Sequence, residues 1–127
     1  MGQQIFQGYS KLIGTPYKLK DCWHIAKDFY QIEFGIELKQ YYEQTPDNRD
    51  LQANMIYSNK GEFDKVDSPQ YGDIILIKLY GVECHIAIYL EKGRILHTSK
   101  KTGCIIDSLN KWEKMISGYY RIKNDKT

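Results

Sequence analysis

The sequence is poor in the residues that staple a small fold together. Of its 127 residues, three are cysteine and three are histidine. An odd, small cysteine count argues against a disulfide framework and leaves reduced thiols available for chemistry. Prolines also number three, and no linker, repeat or low-complexity stretch divides the chain. One domain over residues 1–127 is therefore expected, long enough to bury a core unaided. No apolar run approaches the ~20 residues that span a bilayer, so membrane insertion is not expected. The first six residues show neither the basic start nor the long apolar stretch of a signal peptide. Phe6 stands where a myristoylation pattern needs Ser or Thr. The expectation is synthesis in the cytoplasm, with action elsewhere requiring another export route or a carrying particle. Charge of one sign is also missing: 18 Lys+Arg against 16 Asp+Glu leave a net +2. These charges are spread along the chain, and no basic cluster is dense enough for a nucleic-acid partner.

What is present falls into two halves. Apolar residues at 5, 6, 9, 12 and 13 have helical spacing, and Gly14-Thr15-Pro16 ends that run. From Asp21, a natural N-cap, Cys22, Ile25, Ala26 and Phe29 follow the i, i+3, i+4, i+7 rule. This helix should reach about Glu33 and stop at Gly35. The polar, tyrosine-rich stretch 40–59 suggests a short helix at 50–57. Beyond it, turn residues separate expected strands at 74–79, 83–90, 94–98, 104–106 and 118–122. A loop or short helix around Trp112 fills 107–116. Helices first and an antiparallel meander after make an α+β domain. The eleven tyrosines suit strands and core filling.

Three residues stand out for chemistry. Cys22 sits at a helix start, where the dipole stabilises a thiolate. His85 and His97 lie twelve positions apart on consecutive expected strands. With a hairpin turn at Lys92-Gly93, position 88 should fall near 97 and 85 near 100, the two histidines a diagonal step apart. The set reads as a thiol nucleophile, a general base and a third residue that holds the base in its tautomer. Taken singly, each is more readily a satisfied buried residue; the ordered set is what argues for catalysis. One Cys and two His could also hold zinc with an open fourth position, but the spacing matches no compact zinc motif, so a metal is not expected. His24 should point away from the thiol, about 200° round the helix. Cys84 and Cys104 read as buried strand thiols.

These residues stand in a wider pattern. Gly14-Thr15-Pro16-Tyr17, Asp21-Cys22-Trp23, Tyr71-Gly72-Asp73-Ile74-Ile75, His85-Ile86-Ala87-Ile88-Tyr89-Leu90 and Ile95-Leu96-His97-Thr98 occur in that order. Together they resemble the NlpC-type cysteine peptidases, papain-like cell-wall endopeptidases, across residues 8–122. The resemblance implies a Cys-bearing helix packed on an antiparallel sheet that carries both histidines. It implies Cys22 as nucleophile, His85 as base, His97 as third polar residue and Tyr17 as an oxyanion donor beside the Cys22 backbone N–H. It implies hydrolysis, without a cofactor, of an amide in peptidoglycan stem peptides, of the D-glutamyl–diamino acid type. Trp23 and the short Lys18-Leu19-Lys20 connection are similar to a branch found in phage and prophage tail-assembly proteins. Phage tail proteins are thus possible partners, and the alternative is a tail-tip subunit that keeps the fold with weak or no activity.

Overall fold

A computed structural model describes residues 8–38, 62–79 and 82–123. The expected helix at 50–57 and the turn at Gly81 lie outside them, as does the Cys84 side chain. The chain enters through a 3-10 helix, Gly8–Leu12, that buries Tyr9 and Leu12. The sequence spacing predicts a longer helical run there. Within the described part it is a single 3-10 stretch, a form suited to short pieces, and its two buried residues sit one 3-10 turn apart. Helix α1, Cys22–Phe34, follows. Asp21 caps its start by accepting the His24 backbone N–H at 3.1 Å, and Gly35, with φ of 67°, closes its end. Its buried face is Cys22, Trp23, Ile25, Ala26, Phe29 and Tyr30, the stripe that the helical period requires. Fully burying a side chain as large as Trp23 or Phe29 stabilises the fold by roughly 1.5–3 kcal/mol or more.

Among the described residues, six strands form one antiparallel sheet: β1 (Phe63–Val66), β2 (Ile74–Leu79), β3 (Val82–Tyr89), β4 (Arg94–Ser99), β5 (Gly103–Ser108) and β6 (Ile116–Ile122). Their spatial order is β1-β6-β2-β3-β4-β5. The expected meander is β2 to β5. β6 returns to lie beside β2, and β1 pairs outside it. β1 is only four residues, Phe-Asp-Lys-Val, too short for an alternation to show in sequence. Another 3-10 helix, Leu109–Met115, joins β5 to β6.

Alternation gives the sheet two apolar faces. Ile74, Leu76, Ile86, Ile88, Leu96 and Cys104 join the core under α1. Ile75, Ile77, Ala87 and Ile95 pack on the other side with Trp112 and Met115. His85 and His97 share the parity of this second face.

The β3–β4 hairpin departs from the expected register by one residue. Pairing runs Ile88↔Leu96 and Tyr89↔Ile95, and Leu90 N–H donates to the Arg94 carbonyl at 2.9 Å. A two-residue turn at Lys92-Gly93 would pair Glu91 with Arg94 instead. Here Glu91 is an extra residue in the connection, and its carbonyl takes the Arg94 N–H at 3.0 Å. The shift matters because one residue of slip turns every side chain to the opposite face. Continued inward, this register sets His97 against Ala87, two residues from His85 on the same face. The diagonal relation therefore holds, through neighbours one position away from those expected.

Candidate active site

Among the described residues, β3 and β4 pair no further inward than Ile88 and Leu96. Both strands continue, and α1 packs on both, with Cys22 at its start reaching one residue of each. Cys22 Sγ lies 3.1 Å from His85 Nδ1 and 3.6 Å from the Thr98 carbonyl oxygen. His85 Nε2 lies 3.1 Å from His97 Nδ1. His97 Nε2 lies 3.1 Å from Asp107 Oδ2. The structure thus brings Cys22, His85 and His97 into one hydrogen-bonded line and adds Asp107 at its far end. Cys22, His85 and His97 are all buried, none more than 7% exposed.

The loop before α1 is tied down by β5, the edge strand beside β4. Gly14 N–H donates to the Cys104 carbonyl at 2.8 Å, and Cys104 N–H to the Thr15 carbonyl at 2.9 Å. Gly103 makes this approach possible: its φ is +70°, and a Cβ there would lie 2.8 Å from the Thr15 oxygen. Tyr17, half-buried against the core, lines a cavity of about 390 Å³ with Lys18, Lys100 and Lys101. The cavity is therefore cationic and shares the loop that leads into Cys22.

Burial, followed by the adjacent His97, pushes the His85 pKa down to about 3. At neutral pH its ring is uncharged and able to accept a proton. Burial also lowers His97, while the Asp107 hydrogen bond and charge pull it back up. Burial alone would raise the Asp107 carboxyl. The Ser108 N–H, Lys111, His97 and Trp112 outweigh it and hold that group well below the usual carboxylate range. Trp112 closes the second face of the sheet over the site, its ring 5.7 Å from that of His85 and 5.2 Å from that of His97.

The other candidates fall outside this line. His24 Nδ1 sits 2.7 Å from Asp21 Oδ1, at the cap rather than at the thiol. Cys104 is a buried core thiol whose pKa burial pushes up to about 12, which suits an inert sulfur. Asp107 was not among the residues the sequence singled out, because β5 runs to Ser108, past the expected end at 106. The signal was available in alternation: Ile105 pairs with His97, so Asp107, two residues on, shares the His97 face.

A helix-borne thiol hydrogen-bonded to a neutral imidazole, with that imidazole held by a second one, is an arrangement for nucleophilic acyl transfer. Residues 9–121 match the NlpC/P60 family. The chain belongs to the NlpC/P60 family. Among curated relatives, the murein DD-endopeptidase MepS/murein LD-carboxypeptidase of Escherichia coli K12 is 24% identical over 115 residues, covering 88% of this chain and 54% of that protein. The chain thus spans about half the length of the curated relatives it matches. The crystal structure of the NlpC/p60 domain of peptidoglycan hydrolase SagA superposes with a TM-score of 0.61 at 19% identity, covering 91% of this chain and 93% of the other. An NlpC/P60 family protein from Bacillus cereus ATCC 10987 gives a TM-score of 0.64 at 21% identity, over 90% of this chain and 37% of that one. The fold is the NlpC/P60 fold, a Cys-bearing helix on an antiparallel sheet that carries both histidines.

Proposed function

We propose that this NlpC/P60 chain is a cysteine peptidase that hydrolyses an amide bond in peptidoglycan stem peptides. The observation that carries the reading is the line from Cys22 through His85 to His97, with 3.1 Å at each step. Cys22 Sγ attacks the amide carbonyl carbon as its proton passes to His85 Nδ1. The Tyr17 hydroxyl and the Cys22 backbone N–H are the donors proposed for the oxyanion. His85 then gives the proton to the leaving amine nitrogen, the C–N bond breaks, and a thioester on Cys22 remains. Water, losing a proton to His85, attacks the thioester carbonyl. The acid departs, and the proton on His85 returns to Cys22. His97 keeps the His85 ring oriented throughout.

Stem peptides carry several carboxylates, and the cavity lined by Lys18, Lys100 and Lys101 offers cations to them. The bond favoured is D-glutamyl–diamino acid; the name of the E. coli relative makes a DD bond the competitor. Mass spectrometry of defined muropeptides after incubation with wild type and Cys22→Ala tests both. Cleavage by wild type and none by the variant is expected, and the fragment masses name the bond. Equal cleavage by both proteins refutes the reading. Association with a phage tail rests on the sequence pattern around Trp23 alone. Co-purification with tail proteins, together with a Cys22 that resists alkylation, would favour an assembly subunit over an enzyme.

A further inference from the structure

Among the described residues, Asp107 is met by three groups that can only donate and by His97. Its Oδ1 accepts from the Ser108 N–H at 2.8 Å and from Lys111 Nζ at 3.0 Å. Its Oδ2 accepts from Trp112 Nε1 at 3.3 Å and faces His97 Nε2 at 3.1 Å. A backbone amide, an ammonium and an indole N–H can only donate. The carboxylate they surround carries no proton, so His97 Nε2 must donate as well.

One tautomer then dictates the next. With its hydrogen on Nε2, neutral His97 has its lone pair on Nδ1. That atom can only accept, so His85 Nε2, 3.1 Å away, carries the hydrogen of its own ring. The lone pair of His85 is left on Nδ1, which faces Cys22 Sγ at 3.1 Å. Reversing the hydrogen on His97 would reverse both bonds and turn an N–H, in place of a base, toward the thiol. We propose that Asp107 is a positioning residue that sets the direction of the whole Cys22–His85–His97 line, and that its task requires a carboxylate. This rests on the reading of Cys22 as nucleophile.

Asp107→Asn separates the two demands on this position. An amide has one oxygen and one NH2, and four donors face it. With the oxygen kept by the Ser108 N–H and charged Lys111, the NH2 turns to His97 Nε2, which must then accept. His97 becomes the Nδ1–H tautomer and the line reverses. The readout is long-range 15N–1H spectroscopy of the histidine side chains, paired with the rate of Cys22 alkylation by iodoacetamide. Neither needs a substrate. Wild type should show Nε2–H on both His85 and His97, and Asp107→Asn should move His97 to Nδ1–H. Alkylation should slow by about 10²-fold, and any muropeptide kcat with it at nearly constant KM; the like change in a serine-protease triad costs about 10⁴. An Nδ1–H tautomer on His97 in wild type overturns the proposal even where the variant fails to fold. A folded Asp107→Asn protein with unaltered tautomers and thiol reactivity overturns it too. Wild type with the stated tautomers but no action on muropeptides refutes the proposed function and leaves this inference standing.

Discussion

Lowering the pH should destabilise the fold through the site histidines, by an amount that follows from how His85 is buried. An unfolded chain titrates a histidine near 6.5, whereas burial and then His97 hold folded His85 at about 3. Between those two values the unfolded chain binds a proton that the folded one refuses. Stability therefore falls as pH falls: the contribution is whole above 6.5 and is lost progressively toward 3. Each pH unit in the window is worth about 1.4 kcal/mol per group, so His85 alone accounts for on the order of 2 kcal/mol between about pH 6.5 and pH 5. His97 shifts in the same direction, since burial outweighs Asp107, and steepens the slope. Down to about pH 5 the titration stays above the ordinary carboxylate range, and Asp107, held well below that range, remains ionised. Urea unfolding of wild type and His85→Gln, at several pH values from about 7.5 down to about 5, isolates the contribution. The variant should lose stability with a slope shallower by up to one proton. Parallel curves for the two proteins would refute the burial argument.

Two further expectations follow from the hairpin and the cavity. Deleting Glu91 removes the extra residue that sets the β3–β4 register, so either the fold or the histidine contact must give way. Circular dichroism and iodoacetamide reactivity should show lost structure or a Cys22 without its base, while Glu91→Ala, which keeps the residue count, should behave as wild type. A deletion variant with wild-type thiol reactivity would mean that the register is set elsewhere. Charge reversal at Lys100 and Lys101 should raise KM for carboxylate-rich muropeptides about tenfold with kcat nearly unchanged. Equal kinetics would remove the cavity from the substrate path.

Much of this molecule was legible in order and spacing. The Asp21 cap, the α1 stripe and the Gly35 stop are local, each written within a few residues, and the structure keeps them. Strands β2, β3 and β4 were equally plain, because each apolar run is bounded by turn residues. β1 was not, because four residues with two charges at their centre become a strand only where β6 offers an edge. Tyr17 shares the loop into α1 and lines the lysine cavity, and its part at the oxyanion stands as proposed.

The sequence alone determined which residues were available: a thiol at a helix start, two histidines on successive strands and a pattern like that of the NlpC-type peptidases. Only the tertiary structure decided how they meet. One extra residue at Glu91 places His97 on the face of His85, a choice that alternation within either strand leaves open. Inward of the Ile88↔Leu96 pair, Cys22 at the α1 start reaches one residue of each strand, so that a thiol from one layer reaches an imidazole on the other face of the sheet. Asp107 joins the line through cross-strand pairing with the strand that carries His97. Local spacing fixes what each element presents, whereas register between strands fixes what each presented group can touch.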